Sequence, residues 1–410
     1  MKRVSLLMRR IAGFTRAVLG GGRARRRLKE LRRVDLSQYV NRIISDAVLL
    51  NEIPSPTEAE SRRMDFIATR LRDFGISNVV TDEAGNVAAL FPAFGTRPDF
   101  LLVFAEVGDA DYSPLGNSVH LAKERAAGHG LAERSAGAAA LLVFAEYAQA
   151  TGFYLDKNLL LLFTPSSSVD ENSAALRSFL SEWGAQVSGG LFIRGSGLGT
   201  VETRQVGTYW LSIDVRKPER ELLAAGDAAS AATILGSIAF QIGAITWDPG
   251  KSTIVSIARM QAGIGYGHWP SEGTMDVEIL SEQEALLETA KNTVTATIQK
   301  IATIDEAEVE VTVRAHHSVG DSQRNAPITA AVQETLTQLR IKPETGVIAE
   351  KIAMLNEFGI PGAALGITSG KVAFDEEYID LLPLETGFRQ LLLVVERCAG
   401  VSNSKEVELQ

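Results

Sequence analysis

Apolar and polar positions along the chain predict a regular succession of helices and strands. From Leu36 to Asn51 the apolar residues recur at helical spacing, and a second helix follows Pro54 and Pro56 and runs to about Phe74. Apolar runs then predict strands at 78–81, 86–91, 99–104 and 159–163, and a helix at 137–151. This alternation predicts an α/β fold with a mixed sheet flanked by helices.

A second, smaller unit is predicted within the first. Polar and apolar residues alternate from Gly207 to Val215, as in a half-exposed strand. The pattern continues as helix, strand, strand, helix and strand at 227–242, 253–257, 274–280, 282–302 and 308–314. That order predicts a two-layer α/β, ferredoxin-like domain. The first unit resumes with helices at 328–339 and 349–358, a strand at 362–365 and a last helix at 384–399.

Five segments follow from this pattern. They are an N-terminal arm at 1–33, the first part of the body domain at 34–205, the inserted domain at 206–317, the second part of the body at 318–400 and a tail at 401–410.

The amino-acid composition limits the classes of protein to which the chain can belong. The chain has 410 residues with 45% apolar and 22% charged positions, enough for a large buried core. No apolar run approaches the roughly 20 residues of a membrane-spanning helix, and no signal peptide is evident, so a cytoplasmic protein is expected. The single cysteine, Cys398, excludes an intramolecular disulfide.

The N-terminal arm differs in charge from the rest. Residues 1–33 hold twelve Lys or Arg and one acid, Glu30, whereas the whole chain has a net charge of −9. Apolar residues from Leu7 to Val18 recur at helical spacing before three glycines, which indicates a basic amphipathic helix. The favoured interpretation is that this arm docks on a neighbouring subunit. Binding of another protein, peripheral contact with an anionic membrane, binding of nucleic acid and a disordered extension without function stay open, although the acidic body would repel nucleic acid.

Several short sequence motifs along the chain resemble those of a known family. They lie at 51–57 (NEIPSPT), 82–89 (DEAGNVAA), 132–139 (AERSAGAA), 161–174 and 359–366 (GIPGAALG). In order and spacing they resemble the M20 family of zinc-dependent exopeptidases and amidohydrolases, nearest to its peptidase T-like branch, over residues 36–400. The resemblance implies a zinc-exopeptidase-like sheet, an inserted dimerisation domain and a homodimer.

The same resemblance implies where two zinc ions and a general base would be held. The family's His-x-Asp falls on Ala105-Glu106-Val107, its bridging Asp on Glu133, its Glu-Glu pair on Ser167-Ser168 and its last ligand His on Ala373. Alanine and valine cannot ligate, and a serine hydroxyl is a poor zinc ligand and a weak base. The resemblance therefore implies a degenerate, non-catalytic member that needs no cofactor.

Two alternatives to this interpretation stay open. The first is an active metallohydrolase with displaced ligands, with zinc as cofactor and peptides or N-acyl amino acids as substrates. Glu106, Asp109 and Glu133 are weak candidates for an oxygen-ligand metal site. The second is a module that binds a small molecule or peptide in the old cleft. The main hypothesis is a scaffold or binding subunit of a homo-oligomer.

Overall fold

The computed structural model describes residues 34–54, 61–93, 99–108, 118–151, 155–165, 173–204, 206–221, 225–226, 228–247, 252–373 and 376–400. The predicted basic arm, the C-terminal tail, Asp109, Ser167 and Ser168 lie outside the described residues.

The elements before the inserted unit alternate between helices and strands. In chain order they are α1 (Ser37–Glu52), α2 (Ser61–Asp73), β1 (Val79–Thr81), β2 (Val87–Phe91), β3 (Phe100–Val107), β4 (His120–Leu121), β5 (Arg125–Ala127), a π-helical turn (Leu131–Ser135), α3 (Ala136–Thr151), β6 (Asn158–Pro165), α4 (Ala174–Trp183), β7 (Val187–Ser196) and β8 (Thr200–Arg204).

The inserted unit and the return to the body follow. The inserted elements are β9 (Gly207–Arg216), α5 (Ala231–Ala244), β10 (Thr253–Ala262), β11 (Glu272–Ser281), α6 (Glu284–Ile304) and β12 (Glu308–His317). The body then continues with α7 (Ser322–Leu339), β13 (Glu344–Val347), α8 (Glu350–Glu357), β14 (Gly362–Thr368), β15 (Gly370–Val372), β16 (Glu377–Asp380) and α9 (Leu384–Ala399).

The body is built on a mixed sheet in the order β1-β2-β6-β3-β7-β14. β3 pairs in parallel with β6 and β7, and β14 pairs in parallel with β7. β2 pairs antiparallel with both of its neighbours, β1 and β6. Apolar faces of α1, α2, α3, α7 and α9 cover one side, and α4 and α8 cover the other. This arrangement confirms the predicted α/β fold with a mixed, helix-flanked sheet.

Burial on both faces explains the apolar sequence of β3. Leu101 and Val103 belong to the core under α3, and Leu102 and Phe104 to the core under α4 and α8. A central parallel strand has no solvent face, so every position along it is apolar until the strand reaches its carboxyl end. The first charged residue, Glu106, stands at that end.

The inserted unit has one covered and one open sheet face. Its four strands are antiparallel in the order β10-β11-β9-β12. Leu211, Ile213 and Val215 of β9 pack with α5 and α6, while the alternate residues lie on the other face. The fold thus includes the inserted two-layer α/β domain that the sequence predicts.

Parts of the body were not predicted. The central strand β7, helix α4 and the small sheet β15-β16-β5-β4 have no counterpart in the sequence prediction. Helix α7 begins at Ser322, before Pro327, whereas the pattern placed its start at Ile328. The Asp321 side chain accepts the backbone N–H of Arg324 at 2.9 Å and caps the extra turn. Among the described residues, no helix is long and apolar enough to cross a membrane.

Candidate functional site at the carboxyl edge of the body sheet

The end of β3 carries two of the positions implied as metal ligands. Ala105 and Val107 are 0% and 2% exposed and pack in the same core as Leu131 and Ala132 of the π-helical turn. Neither side chain has an atom that can donate electrons to a metal ion. This side of the strand end is therefore filled by hydrocarbon.

Glu106 points to the opposite side of the sheet and has a cationic partner. Lys351 Nζ lies 3.1 Å from Glu106 Oε1 and 3.0 Å from Glu350 Oε1. The Lys351 side chain is 11% exposed. Burial alone would lower the pKa of this ammonium group, but the two carboxylates outweigh burial and raise it above its usual value. Glu106, a weak metal candidate from the sequence, is thus held in a buried ion pair.

Glu133, which the resemblance implies as the bridging carboxylate, does not point into a closed site. Its side chain is 54% exposed and lies 3.7 Å from the guanidinium of Arg134. Arg134 Nη1 in turn donates a hydrogen bond of 3.0 Å to the carbonyl of Gly108. Glu133 therefore remains beside the end of β3, and among the described residues it belongs to no group of three side chains with the spacing of metal ligands.

Glu377 is a half-buried carboxylate at this edge that is held by three backbone donors. It accepts backbone N–H groups of Gly130, Ala132 and Glu133 at 2.6, 2.7 and 2.9 Å. Burial raises its pKa, and these three donors offset the rise only in part. Because the carboxylate satisfies donors at the start of the π-helical turn, it holds β16 against this turn.

Ala373 follows β15, and its backbone closes a turn with Glu376 through bonds of 3.1 and 3.3 Å. The methyl group cannot replace an imidazole ligand. The described residues at this edge therefore do not fit a pair of zinc ions. The assignments to Asp109, Ser167 and Ser168 stay predictions.

A polar cluster connects this edge to the inserted unit. His317, at the end of β12, lies 3.6 Å from Glu350, and Ser173 donates to the same carboxylate at 3.3 Å. The indole of Trp210 stands edge-on to the imidazole at 5.7 Å. Burial lowers the pKa of His317, although the nearby Glu350 acts in the opposite direction. The sequence pattern alone did not single out Glu350 or Lys351.

One group of described residues does have the spacing of metal ligands. Glu284, Glu288 and His316 present ligand atoms within 4.8 Å of one another. The group belongs to α6 and β12 of the inserted unit. Glu288 accepts the Tyr209 hydroxyl and lies 2.9 Å from Lys291 Nζ, so a cation of the protein already neutralises it. The imidazole of His316 stacks on Tyr209 at 4.2 Å.

Comparison with known proteins identifies the fold. No protein-family profile matches the chain, and no curated protein matches it. Solved structures do match. Aminopeptidase PepT from Bacillus cereus shares 14% identity at a TM-score of 0.68, with 88% of this chain and 99% of that chain covered. A tripeptidase from Staphylococcus aureus shares 17% identity at a TM-score of 0.72, with 88% and 98% covered.

A further match is a dinuclear metal-binding peptidase of the M20 family from Bacillus subtilis. It shares 16% identity at a TM-score of 0.64, with 89% of this chain and 100% of that chain covered. At these identities the likeness concerns the fold. The chain therefore has the fold of the M20 peptidases and amidohydrolases, with a mixed body sheet and an inserted dimerisation-type domain.

Proposed function

We propose that the protein is a non-hydrolytic relative of the M20 peptidases that serves as a binding or scaffold subunit. The observation that carries the proposal is the burial of Ala105 and Val107 at the end of β3. A metal site needs ligand atoms in its first coordination sphere, and hydrocarbon packed against Leu131 and Ala132 leaves no room for one.

The second candidate is a metal-dependent peptidase with displaced ligands. The matched structures favour it, because those proteins are peptidases and one of them binds two metals. The group of Glu284, Glu288 and His316 also gives three ligands, two carboxylates and an imidazole, of kinds that bind zinc. Two observations argue against this second candidate. The group belongs to the inserted unit and not to β3, and Lys291 already neutralises Glu288.

Metal content and hydrolysis separate the two candidates. The full-length protein, purified and dialysed with added zinc, is expected to retain far less than the two ions per chain that a co-catalytic pair needs. It should show no chelator-sensitive cleavage of dipeptides, tripeptides or N-acyl amino acids. Elemental analysis and chromatography of the products measure both. An authentic M20 peptidase treated in parallel is the positive control. About two bound zinc ions together with chelator-sensitive cleavage would contradict the proposal.

The proposed assembly is a homodimer formed through the inserted unit. β10 is the outer strand of its sheet and runs for ten residues from Thr253 to Ala262. An uncovered edge strand of this length is a template for pairing with another strand. Nearby apolar side chains are exposed as well: Phe240 of α5 by 73%, Ile254 by 55% and Met260 by 51%. Docking of residues 1–33 on the neighbouring subunit stays a prediction.

Replacement of Phe240 by aspartate is expected to break this dimer. Light scattering should give the wild type twice the 44.1 kDa of one chain and the variant a single chain. Leu382→Asp is the matched control, because Leu382 is 76% exposed and belongs to the body, away from β10. A wild type that is monomeric, or a Phe240→Asp variant that keeps the dimer mass, contradicts the proposed interface.

A further inference from the structure

The inserted sheet has one end next to its connections with the body and one end far from them. The chain enters the sheet at Gly207, where β9 begins, and leaves it at His317, where β12 ends. Because β12 is antiparallel to β9, both connections lie at the same end, and Arg216 and Glu308 are paired at the other. The ten residues of β9 separate the two ends by about 30 Å.

Four carboxylates share the open face of the sheet at this far end. Ile213 and Val215 of β9 pack with α5 and α6, so the alternate residues Asp214 and Arg216 lie on the open face. The same alternation applies to β11 and β12. The carboxylates of the last two cross-strand rows, here called the distal acidic patch, are Asp214, Glu272, Glu308 and Glu310.

The charge of the distal acidic patch is not balanced by its neighbours. Arg216 lies between Glu308 and Glu272 in the last row, and Asp214 lies directly opposite Glu310 in the row before it. Opposite side chains on neighbouring strands are about 5 Å apart at Cβ, and like charges at such positions destabilise a sheet. Among the residues that the structure describes, no cationic side chain is within ion-pair distance of these four carboxylates.

Two simpler roles do not account for the distal acidic patch. Charged residues on an outer strand prevent it from pairing with another sheet, and this role suits Glu308 and Glu310 of β12. Asp214 and Glu272, however, lie on the inner strands β9 and β11. A metal ion is also a poor match, because no three described side chains of the patch have the spacing of metal ligands. A segment with several separate cations matches the patch better.

The chain itself contains such a segment. Residues 1–33 hold twelve Lys or Arg and a single acid, and seven of these basic residues lie within 23–33. Fully extended, 33 residues span about 110 Å, which is well beyond the length of β9. Both the charge and the length of this arm are therefore suited to the distal acidic patch.

We infer that the distal acidic patch is the docking surface for residues 1–33. Basic side chains of the arm pair with its four carboxylates and remove the repulsion between Asp214 and Glu310. The assignment of this surface rests on the proposed docking of residues 1–33. It is independent of metal content, of hydrolysis and of the interface at Phe240, each of which has its own measurement.

Limited trypsin digestion of the full-length protein, freed of nucleic acid by nuclease, tests the docking. Trypsin cleaves after Lys and Arg, and intact-mass spectrometry follows the loss of the arm. Cleavage within residues 23–33 should be at least about fivefold slower in 0.01 M salt than in 1 M salt, because the Debye length falls from about 30 Å to about 3 Å. A free synthetic peptide of residues 1–33 corrects for the effect of salt on trypsin. Equal corrected rates at the two salt concentrations overturn the inference.

Paired variants locate the docking on the sheet. Asp214→Asn/Glu310→Gln should lose the arm at least about threefold faster than the wild type at low salt, because two ion pairs are removed. Asp73→Asn/Glu182→Gln is the control, since it removes one Asp and one Glu that are exposed on α2 and α4 of the body, and it should keep the wild-type rate. Melting temperatures establish that both variants are folded. Equal rates for the two variants contradict the assignment.

Cross-linking of the wild type gives a result that does not depend on any variant. A carbodiimide joins an amine to a carboxylate in direct contact, and Lys29 provides an amine within the arm. Mass spectrometry at low salt should find Lys29 joined to carboxylates of the distal acidic patch, and these products should disappear at high salt. Cross-links from Lys29 to carboxylates of the body alone refute the inference.

Discussion

Replacing Gly387 by alanine is expected to destabilise the protein by more than about 3 kcal/mol, or to prevent folding. Gly387 lies in α9 where this helix crosses β14. A Cβ at this position would lie 1.5 Å from the carbonyl oxygen of Ile367 and 2.4 Å from its carbonyl carbon. Because both atoms belong to the backbone of a fully buried strand, no side chain can rotate away. The helix or the strand would have to move.

A second glycine provides the matched control. Gly236 is also helical, in α5, but an added Cβ there meets no atom within 4 Å. Gly236→Ala should therefore stabilise the protein by about 0.5–1 kcal/mol through helix propensity alone. Urea denaturation followed by circular dichroism measures both changes. If Gly387→Ala lowered stability by less than about 1 kcal/mol, the close approach of α9 to β14 would not exist in solution.

Glycine-mediated close contacts recur where helices meet the body sheet. A Cβ on Gly137 of α3 would lie 2.6 Å from the carbonyl oxygen of Ile193 in β7. This contact fixes the start of α3 and, with it, the π-helical turn that carries Glu133. The shape of the candidate site therefore depends on helix-to-sheet contacts as well as on the residues at the strand ends.

The apolar pattern predicted the fold well where periodicity was strong. The first and last helices match within a residue, because α1 and α9 have clear apolar faces. The pattern failed at β7, where Gly189 and Gly190 interrupt the apolar run. Their role appears only in three dimensions, since a Cβ at these positions would lie 2.8 Å from Ile328 and 2.4 Å from Leu355. The sequence contains no local signal for contacts made with distant helices.

At the candidate site, the roles that the resemblance implies for individual residues stay predictions. The absence of ligand atoms at Ala105, Val107 and Ala373 follows directly from the sequence once the resemblance is seen. What the sequence did not reveal is the use of Glu106, whose partner Lys351 is far away along the chain. A lysine directly before the apolar run Ile352–Leu355 was the available signal, because a charged residue in a buried stretch needs a partner.

Replacing Lys351 by methionine is expected to lower the free energy of unfolding by about 3 kcal/mol. The Lys351 side chain is 11% exposed and neutralises both Glu106 and Glu350. Methionine fills nearly the same volume but leaves two neighbouring carboxylates without a cation, and Glu106 is only 14% exposed. An uncompensated charge that is largely buried costs much more than the loss of an exposed ion pair.

Two further variants show that the charge, and not the packing, causes this loss. Lys371→Met removes a lysine from an ion pair with Glu376 whose side chains are 43% and 53% exposed, and it should change stability by less than about 0.5 kcal/mol. The double variant Glu106→Gln/Lys351→Met should recover part of the stability lost in Lys351→Met, because the more buried of the two carboxylates is then neutral. Urea denaturation of the wild type, of the single variants Lys351→Met and Glu106→Gln and of the double variant gives the coupling. Equal effects of Lys351→Met and Lys371→Met would mean that the pair between β3 and α8 is hydrated and contributes little to the structure of this edge.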